Sequence, residues 1–89
     1  MANVRDYTND VYLVLSCLYD HMDSSGEVRI TQQEVSDSLN MSRVTVNRIF
    51  TRLKETMNIR QDKTRVGRYY LTNNGIMVVK TFRKIEKDK

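Results

Sequence analysis

The chain has 89 residues, 39% of them hydrophobic and 29% charged, with a formal net charge of +4. This suits one compact domain over residues 1–89 and argues against a large enzyme fold or a binding domain joined to a separate sensor. No apolar run approaches the roughly 18 residues of a membrane span, and residues 1–6 lack a signal peptide's apolar stretch, so a cytoplasmic chain with no membrane partner is expected. One cysteine, Cys17, and one histidine, His21, supply neither a disulfide framework nor a Cys/His zinc site, so no metal or cofactor is expected.

The charge is unevenly spread. Residues 1–40 carry two basic side chains against seven acidic ones, a net of −5, whereas residues 41–89 carry 13 against four, a net of +9. Eight basic residues lie between Met41 and Tyr70, opposed only by Glu55 and Asp62. Concentrated positive charge focuses a field that attracts a polyanion such as nucleic acid. The alternative is a merely solvated charged face, and position along the chain separates the two.

From Tyr7 to Met22, the apolar residues Val11, Val14, Leu15, Leu18 and Met22 fall on one helical stripe. Within it Cys17 reads as a small buried hydrophobe, and His21 beside Asp20 and Asp23 as helix-end charge. Asp23-Ser24-Ser25-Gly26 breaks the helix, Gly26 being able to turn left-handed. Glu27-Val28-Arg29-Ile30 is expected to form a short strand. Thr31-Gln32-Gln33-Glu34 has the spacing of a capping box, which predicts a short helix with Val35 and Leu39 inward, stopping near Asn40. Ser42 is a good N-cap for the next helix, from Arg43 to about Thr56, with Val46, Ile49, Phe50 and Leu53 on one face. Two helices joined by so few residues form a helix-turn-helix, spanning about 31–56.

Beyond it, Ile59-Arg60-Gln61 and Arg68-Tyr69-Tyr70-Leu71 have strand composition, with a hairpin loop over Asp62–Gly67. Adjacent strand tyrosines predict one of Tyr69 and Tyr70 in the core and the other on the surface, with stacking on single-stranded bases the less favoured reading. Arg60 is suited to covering apolar surface. Thr72 can cap a last helix, about Asn73 to Glu86, made amphipathic by Ile76, Val79 and Phe82 with Val78 and Ile85.

Residues 31–54 resemble the DNA-binding module of winged-helix bacterial regulators, most of all the cyclic-AMP receptor protein type. The resemblance rests on Thr31-Gln32-Gln33-Glu34, the small Ser36, the turn at Asn40, and Ser42, Arg43, Thr45, Val46, Arg48 and Leu53. Tyr70-Leu71-Thr72-Asn73-Asn74-Gly75 resembles the wing-to-helix junction of MarR-type repressors. Together the two cover residues 28–76. They imply an α+β, mostly helical, winged helix-turn-helix fold ordered helix, short strand, helix, helix, two-stranded wing over about 59–71, and C-terminal helix. Asn40 stands where the family usually has Gly. Val44 stands where receptor-type proteins commonly place Glu, so their DNA sequence preference does not carry over. The ligand-binding domain of those regulators has no counterpart, and no small-molecule effector is expected.

With the stripe from Val46 to Leu53 inward, the helix from Arg43 turns Val44, Asn47, Arg48 and Thr51 outward. A recognition helix of this kind enters the major groove of double-stranded DNA. Arg43 and Arg48 carry forks that match guanine, Asn47 an amide that matches adenine, and Val44 a surface for a thymine methyl. Ser42 and Thr45, beside the helix N-terminus, together with Arg52 and the wing residues Lys63, Arg65 and Arg68, are the candidate backbone contacts. Six such contacts predict a log–log salt slope of about −5. One helix reads few base pairs, so a homodimer on a palindromic site is expected. Tyr12 and Tyr19 of the first helix, with Met77, Val78 and Ile85 of the last, are its candidate dimerisation residues.

The glycines at 26, 67 and 75 form no phosphate loop, and one His and one Cys on a core helix suggest no nucleophile–base pair; no enzyme is expected. The expected function is a sequence-specific transcriptional regulator acting as a repressor, because steric blocking needs only occupancy. A plasmid or phage replication, partition or excision factor would use the same chemistry. A winged helix serving as a protein-interaction module would usually lose the basic face that Arg43, Arg48 and Arg52 form here.

Overall fold

A computed structural model describes residues 9–65 and 67–87. Helix α1 (Asn9–Asp20) buries Val14, Leu15 and Leu18 completely, with Val11 and Met22 half-buried beside them. Tyr7 and Thr8, where the stripe suggested the helix begins, lie outside the described residues. Cys17 is buried, as its place on the helix predicted, and burial raises its thiol pKa.

Local chemistry sets the next boundaries. Helix α2 (Gln32–Leu39) opens on the predicted capping box: the Thr31 hydroxyl accepts from Glu34 N–H at 3.1 Å, and Glu34 Oε1 accepts from Thr31 N–H at 3.0 Å. The Thr31 backbone N–H above all, with the Thr31 side chain, holds the Glu34 carboxyl below the usual carboxylate range. Asn40 closes the helix in the left-handed region at φ 54, where its short polar side chain makes it one of the few non-glycine residues tolerated. The buried Ser36 hydroxyl donates to the Met41 carbonyl across the turn, a space that a larger side chain would block. Ser42 then caps α3 (Arg43–Glu55), its Oγ accepting from Thr45 N–H at 3.1 Å. Val46, Ile49, Phe50 and Leu53 all face the core.

The wing is a two-stranded antiparallel sheet of β1 (Ile59–Gln61) and β2 (Tyr69–Leu71), with Ile59 opposite Leu71 and Gln61 opposite Tyr69. The strand expected at Glu27–Ile30 is reduced to bridges. Val28 N–H donates to Tyr69 O at 2.8 Å and Leu71 N–H to Gly26 O at 3.0 Å. A three-residue β2 offers its second edge too few groups for more, and Val28 also bridges to Met22. The wing is thereby tied to the α1–α2 connection.

Helix α4 (Asn73–Lys87) returns across α1 and buries Val79. Its start is locked to the turn after α3. Thr72 N–H donates to Asn58 O at 3.1 Å, the Thr72 hydroxyl donates to Met57 O at 2.6 Å, and Gly75 N–H donates back to that hydroxyl at 3.1 Å. Asn58 is wholly buried there. One core gathers all four helices and the base of the wing. Among the described residues no helix is long and apolar enough to cross a membrane.

Candidate nucleic-acid interface

Because α3 is amphipathic, burying its apolar stripe turns its other side to solvent. Arg43, Asn47, Arg48 and Thr51 are exposed and Val44 is 80% exposed. The four residues singled out for base contact therefore share one helix and an open surface. Two of them are steadied by α2: Arg43 Nη1 donates to Gln33 Oε1 at 2.7 Å, and Asn47 Nδ2 donates to Gln32 Oε1 at 3.3 Å. Gln33 is in turn fixed by Asp37 at 2.9 Å, and Gln32 by the Tyr69 hydroxyl at 3.3 Å. The sequence reading assigned no such role to Gln32 and Gln33. Their place at the start of the helix preceding α3 is visible in the chain, but their partners are not.

Arg48, exposed on the same face, also borders a second feature. With Arg52, Ile49, Asp10 and Val11 it lines a hollow of about 250 Å³ between α3 and the start of α1. At the N-terminus of α3 the Ser42 hydroxyl donates to Thr45 Oγ1 at 2.9 Å, so both hydroxyls sit at one corner of the face. Lys63 and Arg65 are exposed in the β1–β2 loop. There the hydroxyl and backbone N–H of Thr64 hold Asp62 and lower its pKa.

Arg68 is placed differently from its neighbours. Its Nη1 lies 2.9 Å from Oε1 of Glu27, a carboxylate that is only 5% exposed. Glu27 also pairs with Arg29 at 3.0 Å and accepts from the Tyr70 hydroxyl at 3.0 Å; that hydrogen bond, with burial and the Glu27 charge, raises the Tyr70 pKa. The expected division of the tyrosines into one core and one surface ring does not hold, since both are half-buried. Tyr69 meets Phe50 edge-on at 5.0 Å, while Tyr70 is covered by the Arg60 guanidinium at 4.7 Å. Arg60 thus shields an aromatic ring, as its strand position suggested.

The connection beneath the wing is held by Asp23. Its carboxylate takes the Ser25 hydroxyl above all, then the Ser25 N–H, the Arg29 guanidinium and the Glu27 N–H, and its pKa falls from 3.8 to about 2. A carboxyl depressed on folding stabilises the native state above its unfolded pKa, and that contribution disappears as pH falls through the folded value. Melting temperature should therefore be level above about pH 5 and decline towards pH 2. Asp23→Asn should flatten part of that decline in a thermal titration; an unchanged acid profile would show that Asp23 has no share in it.

Of the candidate dimerisation residues, the tyrosines are spent within the chain. Tyr12 packs on Phe82 with ring centroids 4.9 Å apart, and Tyr19 lies 4.9 Å beneath Arg83. Arg83 is anchored in addition by Asp20 and Ser16, each at 2.8 Å. Val78 is half-buried against the core, whereas Met77 and Ile85 of α4 and Leu13 of α1 remain exposed. The described residues contain no group of three or more His, Cys, Asp or Glu able to hold a metal.

This architecture has relatives. The sequence matches the Crp-like helix-turn-helix domain over residues 12–73, more than half of the chain. No curated protein matches it. Among solved structures, MepR, described as a transcription regulator of the Staphylococcus aureus multidrug efflux pump MepA, superposes with a TM-score of 0.74 and 28% identity, covering 91% of this chain and 58% of that one. A structure of the S. aureus MepR–DNA complex gives a TM-score of 0.71 and 26% identity, covering 94% and 60%. The transcriptional regulator SlyA shares the fold, with a TM-score of 0.66 and 23% identity over 92% and 56%. The chain thus spans less than two thirds of the length of these regulators. With a capped helix-turn-helix, a basic outer face on α3 and a two-stranded wing, the chain belongs to the Crp-like helix-turn-helix domain family.

Proposed function

We propose that the chain binds double-stranded DNA sequence-specifically, with α3 in the major groove and the wing loop on the backbone or in the adjacent minor groove, and that it represses transcription by occupying its site. One observation carries the reading. Arg43, Val44, Asn47 and Arg48 stand open on the side of α3 opposite a stripe that is almost wholly buried. A surface helix with two arginines, an amide and a free branched apolar side chain fits the donor, acceptor and methyl pattern of base edges. Ser42, Thr45, Arg52, Lys63 and Arg65 flank it as backbone contacts. Likeness to MepR, which has been solved with DNA, supports the same reading.

A second copy joins through the exposed Met77 and Ile85 of α4, with Val78 at the edge of that surface. The site is then a palindrome whose half-sites are read about 34 Å apart.

Selection of bound sequences from a random duplex library tests this. The expected product is an inverted repeat with half-site centres one helical turn apart. Arg48→Ala should cost about 1–3 kcal/mol on the selected site and relax one base position, whereas Lys63→Ala should weaken all sequences alike. If both variants acted identically on every sequence, base readout by α3 would be wrong.

A further inference from the structure

Glu27 is the most deeply buried charge in the described part of the molecule, at 5% exposure, and the proposed function makes no use of it. Its carboxylate is fully engaged: Oε1 meets Arg68 Nη1 at 2.9 Å and Arg29 Nη1 at 3.0 Å, and Oε2 accepts from the Tyr70 hydroxyl at 3.0 Å. Its backbone bridges to Tyr70, and its N–H donates to Asp23 Oδ1 at 3.2 Å. Arg68 and Tyr70 belong to the returning arm of the wing, while Glu27 belongs to the α1–α2 connection, 41 and 43 residues earlier.

A carboxylate offers an arginine the same charge and acceptor geometry as a DNA phosphate. Moving Arg68 from Glu27 to a phosphate would strip a buried carboxylate of a partner, and an uncompensated buried charge is costly. Lys63 and Arg65, in the same wing, carry no such tie in the described bonds and ion pairs.

We propose that Glu27 is a built-in counter-ion of the wing: it withholds Arg68 from the DNA backbone and fixes β2 against the α1–α2 connection, leaving Lys63 and Arg65 as the wing's phosphate contacts. This rests on the DNA-binding reading above. Arg68 is then a positioning residue, and the sequence-based expectation that it touches DNA is replaced by one in which its charge is neutralised internally.

The test is the salt dependence of binding to one duplex, measured for the full chain and for Glu27→Gln, Arg68→Gln, the double variant and Lys63→Gln. Each phosphate contact adds about 0.9 to the magnitude of the log–log slope, or roughly a threefold change between 50 and 200 mM salt. Lys63→Gln should lower the slope by that amount, and Arg68→Gln should leave it unchanged. Glu27→Gln should steepen the slope by about 0.9 as Arg68 is released, tightening binding to random duplex at low salt, and the double variant should lose that gain.

A lower slope for Arg68→Gln would overturn the proposal, since Arg68 would already be on a phosphate. So would Glu27→Gln weakening binding at every salt concentration with no change of slope, the signature of a purely structural residue. Arg68→Gln leaves Glu27 paired with Arg29 and Tyr70, so it keeps the test decisive even should Glu27→Gln unfold. If the unaltered chain bound no duplex at all, the DNA-binding reading would fall first; a changed slope in Arg68→Gln with normal binding overturns only the role of Glu27.

Discussion

Replacing Phe50 by alanine should lower stability by about 4 kcal/mol, the range for truncating a buried aromatic side chain. Phe50 is 1% exposed and sits where α3 meets the wing, its ring edge-on to Tyr69 at 5.0 Å. Two losses combine there. The cavity forfeits transfer and packing energy, and Tyr69 loses an aromatic contact of about 1 kcal/mol. Tyr69 in turn carries the hydroxyl that holds Gln32, which holds Asn47. For a domain whose total stability is of order 5–15 kcal/mol, the expected drop in melting temperature is roughly 20 °C. DNA affinity should fall further than the unfolded fraction alone explains, because the wing would no longer be braced against α3. Urea unfolding beside a binding isotherm checks both parts; a loss under about 1 kcal/mol would mean that the α3–wing contact is not the packed junction described.

Gly75→Ala is the second large effect. A Cβ at this position would lie deep inside contact distance of the Asn58 carbonyl oxygen and 3.1 Å from its carbonyl carbon. The obstacle is backbone, held by hydrogen bonds from Thr72, and it cannot rotate aside as a side chain would. The expected cost is about 3 kcal/mol, against within about 0.5 kcal/mol for Lys80→Ala, exposed on the same helix. Since this contact joins the end of α3 to the start of α4, Gly75→Ala should also disturb the relation between the recognition helix and the helix proposed to dimerise. Equilibrium unfolding of both variants decides it, and equal stabilities would show that the junction yields freely.

The two residues were legible to different degrees. Phe50 was assigned to the core from the spacing Val46, Ile49, Phe50, Leu53, because helical periodicity alone fixes which face turns inward. Gly75 was noticed in a resemblance to a wing-to-helix junction, with no packing role assigned to it; the carbonyl against which it packs belongs to a turn 17 residues earlier in the chain. The same divide runs through the interface. Ser42, Arg43, Val44, Asn47 and Arg48 could be placed at the cap and on the outer face of α3 because caps and amphipathic faces are written within one or two helical turns. Gln32 and Gln33 were passed over as members of a capping box, although their side chains steady Asn47 and Arg43. Tyr12 and Tyr19 were read as spare apolar surface because no local rule shows that α4 brings Phe82 and Arg83 over them.

By itself the sequence determined where α2, α3 and α4 begin, which stripe of each turns inward, and which side of α3 carries the arginines. Those outcomes follow from hydrogen bonds and periodicities spanning at most a few residues. Only the tertiary structure decided that Arg68 pairs with Glu27 and that Tyr70 lies between Glu27 and Arg60. The physical reason is that a charge or a ring is neutralised or covered by whatever the fold brings within about 3–5 Å of it. For Glu27 those neighbours lie some forty residues away along the chain.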